Sequence, residues 1–266
     1  MAKPIDVVGK QPGKSAAKRS QLVSTALADK VWERSRDSTP EIAPALAAYF
    51  PQFLKESGRA LPWRRTNNAY KILVAELMLQ KTHSRAVGAV WSTFLTRWPT
   101  PRGLAPANPA ELSAVMKPLG IHYRAERIQA IVHELAVRFS YRVPNKYDEL
   151  RSLPGVGDYI ACSVLCQAYS QQRPMIDVNA GRVYARLYGQ VFQTERQKLR
   201  FARNAAEAVI ALAPAREINL GVFDFAHAVC RPVPKCDECS LRHVCRYAAE
   251  GQRRKTSTLS KPKLLD

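Results

Sequence analysis

The spacing of apolar residues constrains this chain more than any other feature. Apolar side chains recur at intervals of three and four, the repeat of one helix face, in residues 69–93, 124–139 and 197–213. Runs that alternate apolar and polar residues, the repeat of a half-buried strand, are nearly absent. Turns containing Pro and Gly separate segments of helical length. The sequence therefore predicts an all-α fold.

The chain carries a large excess of positive charge. Its 266 residues contain 41 Lys and Arg against 22 Asp and Glu, a formal net charge of +19. The excess extends beyond the termini into the body of the chain. This favours a polyanionic partner, most simply nucleic acid, over the alternative of basic tails acting alone. The 46% of hydrophobic residues is typical of a globular protein and excludes disorder over most of the length.

The compartment and the chain ends can also be predicted. No stretch approaches about 20 consecutive apolar residues, so no membrane span is expected. Six cysteines without an N-terminal secretory signal favour a reducing compartment, and we expect a cytoplasmic, nucleoid-associated protein of a prokaryote. Residues 1–38 are predicted to be a flexible basic arm and residues 249–266 a basic tail. The first helix is expected to start near Thr39-Pro40 and to stop at Gly58.

A short glycine motif stands before one of the helical segments. Gly155 and Gly157 follow Leu153-Pro154 and allow a tight turn that leaves backbone N–H groups open at the next helix start. Such a turn can bind a phosphate, or it can be a plain connection between helices. Asp177 follows 20 residues after Gly157, directly before a predicted helix start. Its carboxylate can cap that helix or face bound DNA.

These features together resemble a known family. The Leu-Pro-Gly-Val-Gly motif, a helix, and then an Asp before Asn-x-x-Arg resemble the helix-hairpin-helix DNA glycosylase superfamily. Residues 61–82 resemble the PWR and E-x-M-L-Q-x-T run of its adenine and thymine mismatch branches. The resemblance implies two lobes with a DNA-binding cleft between them. A six-helix barrel lobe would comprise residues 67–178, and an iron–sulfur cluster lobe would comprise residues 39–66 and 179–248.

The resemblance also implies roles for individual residues. The implied catalytic groups are Asp177, which would stabilise positive charge on the sugar; Glu76, which would protonate the leaving base or orient water; and Tyr159. The implied base pocket consists of Trp63, Arg64, Leu220 and Asn179. The implied DNA contacts are Gln80, Lys81, Gly155, Val156, Gly157 and Arg182. Lys81 stands at the family position that fills the gap left by a flipped base, but it can equally be a surface lysine.

Four cysteines near the C-terminus indicate a metal centre. Cys230, Cys236, Cys239 and Cys245 are spaced C-x5-C-x2-C-x5-C, and a zinc ribbon would instead use two C-x2-C pairs. The resemblance implies a [4Fe–4S] cluster, although the first gap is one residue shorter than the family's, and zinc stays the alternative. A monovalent cation at the hairpin is a further expectation.

Two positions bear on the reaction. Tyr159 stands where bifunctional members of the family carry a lysine, and no lysine occurs between Lys146 and Lys198. We therefore expect a monofunctional glycosylase with little lyase activity. Leu220 follows an Asn at the position where adenine glycosylases carry Gln or Glu, and leucine cannot hydrogen-bond a purine edge.

We therefore expect a monomer that removes thymine or uracil opposite guanine from double-stranded DNA containing a mismatched or damaged base. The alternatives are an adenine-DNA glycosylase acting on A:G or A:8-oxoguanine mispairs, and an inactive helix-hairpin-helix DNA-binding protein.

Overall fold

A computed structural model describes residues 42–120 and 123–249 of the chain, and every regular element within them is helical, which confirms the predicted all-α fold. The helices are α1 (Ile42–Ser57), α2 (Ala69–Leu79), α3 (Ser84–Arg97), α4 (Pro101–Leu104), α5 (Pro109–Met116), α6 (Tyr123–Phe139), α7 (Tyr147–Arg151), α8 (Asp158–Tyr169), α9 (Val178–Leu187), α10 (Glu195–Ile210) and α11 (Ala215–Ala228). Short 3₁₀ turns span Pro62–Arg65, Lys117–Leu119 and Cys236–Glu238. The predicted helix start at Thr39-Pro40, the basic arm and nearly all of the basic tail lie outside the described residues.

The helix boundaries follow from short polar caps. Asn68 begins α2 by accepting a hydrogen bond from the N–H of Lys71, and Thr194 begins α10 in a capping box with Gln197. α1 ends at Ser57, and the N–H of Gly58 donates to the carbonyl of Leu54, as the predicted stop requires.

The apolar pattern over residues 69–93 is divided between two helices, where the spacing alone indicates one continuous face. α2 ends at Leu79, and the backbone turns through Lys81, whose φ is +57°. His83 then caps α3 by accepting from the N–H of Arg85. A non-glycine residue in the left-handed region is uncommon, and this break places Gln80 and Lys81 on a turn instead of a helix face.

Two hydrophobic cores organise the helices. The first is built mainly from α2 to α8, and the second from α1, α9, α10 and α11. α8 takes part in both, since Ile160 and Val164 pack into the first core while Cys162 and Cys166 pack into the second. The boundaries of the two predicted lobes stay predictions. Trp63 falls within the predicted iron–sulfur cluster lobe, but its side chain packs in the first core.

α1 and α11 pack closely against each other and form one side of the second core. Phe225 of α11 makes edge-to-face contacts with Tyr49, Phe50 and Phe53 of α1. Gly221 permits this approach, because a Cβ there would lie 2.3 Å from the backbone oxygen of Phe50. Among the helices of residues 42–120 and 123–249, none combines the length and apolar character that crossing a bilayer requires.

Candidate active site

An open cavity of about 800 Å³ lies between the two cores. Most of the predicted catalytic, pocket and DNA-contacting residues line it, namely Trp63, Arg64, Glu76, Gln80, Gly157, Tyr159, Asp177, Asn179, Arg182 and Leu220. Lys81, Gly155, Val156 and the four cysteines are not part of this lining. Residues from distant parts of the sequence therefore meet at one concave surface.

Glu76 is an ionisable group held almost entirely inside the protein. It lies on α2 with 5% of its surface exposed. Its Oε1 accepts a hydrogen bond of 2.6 Å from Ser163 Oγ and one of 3.4 Å from Gln167 Nε2, both on α8. Burial raises the pKa of Glu76 to about 7, although the two hydrogen bonds and the charge of Arg64 oppose the rise. The carboxyl can therefore hold or release a proton near neutral pH.

Asp177 caps a helix, as one of its two predicted alternatives has it, and it also lines the cavity. Its Oδ1 accepts from the N–H groups of Asn179 at 2.9 Å and Ala180 at 2.8 Å at the start of α9. The amide of Asn179 donates to Oδ2 at 2.7 Å. These contacts fix a half-buried carboxylate at the cavity surface, and its negative charge is near enough to contribute to the raised pKa of Glu76.

An ion cluster lies at the cavity wall, with Arg59 and Arg64 in the lining and the buried Asp224 behind them. Asp224 of α11 is 1% exposed, and it accepts from the guanidinium of Arg64 at 2.6 Å and 3.0 Å and from Arg59 Nε at 2.6 Å. Burial alone would raise the pKa of Asp224, but the hydrogen bonds and charges of the two arginines outweigh it and lower that pKa. The cluster anchors Arg64 of the Pro62–Arg65 turn to the second core.

Apolar side chains form another part of the cavity wall. The rings of Tyr159 and Phe223 meet nearly edge to face at 5.9 Å, and both line the cavity beside Leu220. Burial raises the pKa of Tyr159 well above its usual value, so the phenol stays protonated. Trp63 is only 3% exposed and packs against Trp91, so it lines the cavity with a small part of its surface.

The glycine hairpin meets the turn that follows α2. Gly155 has a φ of +72°, and a Cβ there would lie 2.3 Å from the side chain of Arg127. Gln80 Nε2 donates to the Gly155 carbonyl at 3.3 Å, and Arg127 Nη1 donates to Gln80 Oε1 at 3.0 Å. The Val156 side chain is buried in the first core, its N–H donates to the Leu153 carbonyl at 3.1 Å, and its carbonyl accepts from Arg151 Nη1 at 2.5 Å, so the predicted DNA contact of Val156 has no free backbone group here. Gly157 begins α8 without a side-chain cap, and Lys81 is exposed next to Gln80.

Asp158 links the hairpin to the second core. Its carboxylate accepts from Tyr147 Oη at 2.7 Å and forms a salt bridge with Arg203 of α10. The Asp158 and Arg203 side chains are 40% and 30% exposed. This pair therefore connects α8 and α10 at the molecular surface.

The four predicted metal ligands lie together and are not part of the lining of the cavity that holds Glu76 and Asp177. Cys230, Cys236, Cys239 and Cys245 all line one small cavity bordered by Arg186. Arg186 Nη1 lies 3.6 Å from Cys230 Sγ, and the Arg186 backbone oxygen is 3.5 Å from Cys245 Sγ. Within residues 42–120 and 123–249, no three His, Cys, Asp or Glu side chains are placed to hold a single metal ion. Arg182 connects this region to the active cavity, since it donates to the Cys230 carbonyl and to Asn179 Oδ1.

Sequence analysis missed four residues of this site. Ser163 and Gln167 are polar residues four apart in an otherwise apolar stretch of α8, and that spacing is the signal that could have identified them. Arg59 and Asp224 are 165 residues apart and meet only through the packing of α11, so neither residue indicates the other in the sequence.

Comparison with known proteins identifies relatives over most of the chain. The sequence profile of the HhH-GPD superfamily base excision DNA repair protein matches residues 74–208. The thymine/uracil-DNA glycosylase of Pyrobaculum aerophilum is 39% identical over 73% of this chain and 86% of its own length. The adenine DNA glycosylase of Mycolicibacterium smegmatis is 34% identical over 73% of this chain and 66% of its own length.

The fold also has solved counterparts. The structure of a thermostable thymine-DNA glycosylase superposes with a TM-score of 0.66 at 23% identity, covering 88% of this chain and 99% of that one. This likeness establishes the two-lobed helical fold.

Proposed function

Because the chain belongs to the HhH-GPD superfamily of base excision DNA repair proteins, we propose that it is a monofunctional DNA glycosylase that removes thymine or uracil opposite guanine. One observation carries the proposal. Glu76 and Asp177 line a single cavity, and Leu220 and Phe223 form an apolar part of its wall. The names of relatives that act on thymine and uracil support the choice of base.

Asp177 is the group we assign to the sugar. Departure of the base from C1′ leaves positive charge on the ring, and a fixed carboxylate stabilises that charge. The N–H groups at the start of α9 and the Asn179 amide orient Asp177 without neutralising it. The carboxylate is therefore already in place before the target nucleotide enters the cavity.

Glu76 is the group we assign to the leaving base. Because the pKa of Glu76 is about 7, a protonated fraction is available near neutral pH to transfer a proton to the departing pyrimidine. The negative charge of Asp177 contributes to that raised pKa, as expected where two carboxyls are given different protonation states. No lysine lies on α8, so the chain has no amine there for a covalent lyase step.

Leu220 supports the choice of a pyrimidine over adenine. By the family resemblance it stands where adenine glycosylases carry Gln or Glu, and leucine cannot make the hydrogen bonds with which such a side chain would bind an adenine edge. Adenine excision stays the second candidate, because the relatives include adenine DNA glycosylases. Phosphates of the duplex would meet the hairpin backbone at Gly155 and Gly157, while exposed Lys81 would fill the gap left by the flipped nucleotide.

We further propose that the four cysteines hold a [4Fe–4S] cluster with a structural role. All four cysteines border one cavity, and four Cys thiolates are the usual ligands of such a cluster, while zinc stays the alternative. Iron, sulfide and zinc determinations on the purified protein distinguish the two centres.

Duplexes containing G:T, G:U, A:G and A:8-oxoguanine test the proposal. Each is incubated with the purified protein, and strand breaks are scored with and without hot alkali. We expect breaks at thymine and uracil that need alkali. Asp177→Asn should slow them by at least about 10³-fold, because the carboxylate charge that stabilises the transition state is lost.

Controls separate the alternatives. Breaks at adenine would replace the proposed substrate with the second candidate, and breaks without alkali would contradict the monofunctional mechanism. Salt-sensitive binding of every duplex without any excision would indicate a DNA-binding protein that is not an enzyme.

A further inference from the structure

The partners of Glu76 are themselves unusual for the interior of a helix. Ser163 and Gln167 lie one turn apart on α8 with 0% and 4% of their surfaces exposed, among apolar neighbours of the two cores. Burying a hydroxyl and an amide is costly unless they are hydrogen-bonded. Ser163 Oγ donates to Glu76 Oε1, and Gln167 Nε2 donates to Ser163 Oγ at 2.7 Å and to Glu76 Oε1 at 3.4 Å. The two side chains thus form one network that ends on the Glu76 carboxyl.

The other end of the Gln167 amide points to a ligand. Its Oε1 is buried and, in the part of the chain that the structure describes, has no hydrogen-bond donor. The same side chain lines the catalytic cavity. A buried acceptor without a donor is unfavourable, and a water molecule in a polar cavity is the simplest group to satisfy it.

We propose that Ser163 and Gln167 are positioning residues that fix Oε1 of Glu76, and that Gln167 Oε1 holds a water molecule beside this carboxyl. With Oε1 held by both donors, Oε2 is the oxygen left to face the bound base. The proposal rests on the proposed function only in making Glu76 the proton donor, since the hydrogen bonds are independent of any substrate.

The network lowers the pKa of Glu76 together with the charge of Arg64, and against burial and the charge of Asp177. Arg64 of the Pro62–Arg65 turn faces the carboxyl with a positive charge, Asp177 faces it with a negative one, and the Tyr159 phenol lies on the same helix as the network. Hydrogen bonds from Ser163 and Gln167 favour the ionised carboxylate. Their removal should therefore raise the pKa of Glu76, while loss of an apolar neighbour should leave it unchanged.

Carboxyl NMR titration of full-length protein carrying ¹³C-labelled glutamate tests this directly, with Glu76→Gln identifying the resonance. We expect the pKa of Glu76 to rise by about one unit in Ser163→Ala, one unit being the loss of a typical charged hydrogen bond. A smaller rise is expected in Gln167→Met, because the contact of Gln167 with Glu76 is longer. Val164→Ala, on the same helix and fully buried, is the matched control.

Single-turnover excision of uracil from a G:U duplex gives a second readout. Ser163→Ala and Gln167→Met should each slow excision at pH 7 about tenfold without weakening duplex binding, because the carboxyl is no longer held in place, even though its higher pKa leaves more of it protonated. Val164→Ala should keep the parental rate. A Glu76 titration unchanged from that of Val164→Ala would overturn the proposal and leave the pair as packing residues. If the parental protein excises no base, the proposed function fails, and the NMR titration still decides the role of the pair.

Discussion

The carboxyls of Glu76 and Asp224 are both almost fully buried near the same cavity, yet their pKa values move in opposite directions. Glu76 has neutral donors, a hydroxyl and an amide, and burial raises its pKa to about 7. Asp224 has two guanidinium groups, which overcome the effect of burial and lower its pKa. Partners, and not the degree of burial, therefore set the charge of each group. One carboxyl can exchange a proton, and the other is a permanent counter-ion.

Because their partners differ, burial of the two carboxyls affects the free energy of unfolding in two different ways. A buried carboxylate between two arginines is favourable only while all three charges remain, since removal of one leaves the others uncompensated. A buried carboxyl with neutral donors is tolerated by staying protonated, and ionisation then costs stability as the pH rises. Changes at Asp224 and Glu76 should thus affect folding in opposite ways.

Asp224→Asn is expected to have the largest effect on stability. The variant keeps the shape of the side chain but removes the negative charge between Arg59 and Arg64, and it places an amide N–H₂ group against a guanidinium. Loss of one partner of a buried ion pair costs about 3 to 5 kcal/mol. The free energy of unfolding should fall by about 3 kcal/mol in urea titrations at pH 7, the lower figure because Arg59 is partly exposed.

Glu111→Gln provides the matched control for that experiment. Glu111 pairs with Arg97 at the surface, where both side chains are half exposed, and an exposed pair contributes less than about 1 kcal/mol. If Asp224→Asn costs no more than Glu111→Gln, the buried ion cluster does not stabilise the fold, and the contrast with Glu76 is wrong.

Glu76→Gln should stabilise the protein, but only at higher pH. The pKa of Glu76 is raised from 4.5 to about 7, so the folded state binds a proton that the unfolded state releases. The stability contribution of the protonated form is complete below pH 4.5 and is lost as the pH rises through 7. The full difference corresponds to about 3 kcal/mol, which Gln does not lose because it cannot ionise.

Paired urea titrations of the parental protein and Glu76→Gln at pH 5 and pH 8 measure this effect. The variant should be more stable than the parental protein by less than about 1 kcal/mol at pH 5 and by about 3 kcal/mol at pH 8. Histidines and other groups that titrate in this range cancel in the comparison. A constant difference at both pH values would mean that Glu76 is ionised throughout.

Local sequence patterns were sufficient to predict the helices and two of the carboxyls discussed above. Apolar spacing predicted helices, and the motifs around Glu76 and Asp177 predicted two carboxyls that the fold then brought into one cavity. The environment of each carboxyl was not predictable in this way. Asp224 meets Arg59 across 165 residues of sequence, and this contact exists only because α11 packs on α1 through Gly221.

The turn after α2 shows the same limit at short range. The apolar spacing continues through residues 69–93, so it gives no indication of the break at Lys81. Contacts of Gln80 with Gly155 and Arg127 hold this turn, and they come from the hairpin and from α6. Tertiary contacts of this kind override a local periodicity.

The exposed ion pair of Asp158 and Arg203 should stabilise the fold less than the buried groups do, so its removal should have the smallest effect on the free energy of unfolding. A double-mutant cycle with Asp158→Asn and Arg203→Gln isolates the pair, because the contacts of Asp158 with Tyr147 and with the start of α8 are lost equally in both arms. We expect a coupling energy of about 0.5 kcal/mol in urea titrations, and less in 1 M salt, because solvent and ions screen exposed charges. A coupling above about 2 kcal/mol that salt does not reduce would place this pair with Asp224 among the buried ion pairs. The salt bridge between α8 and α10 would then be a main stabilising contact between the two cores.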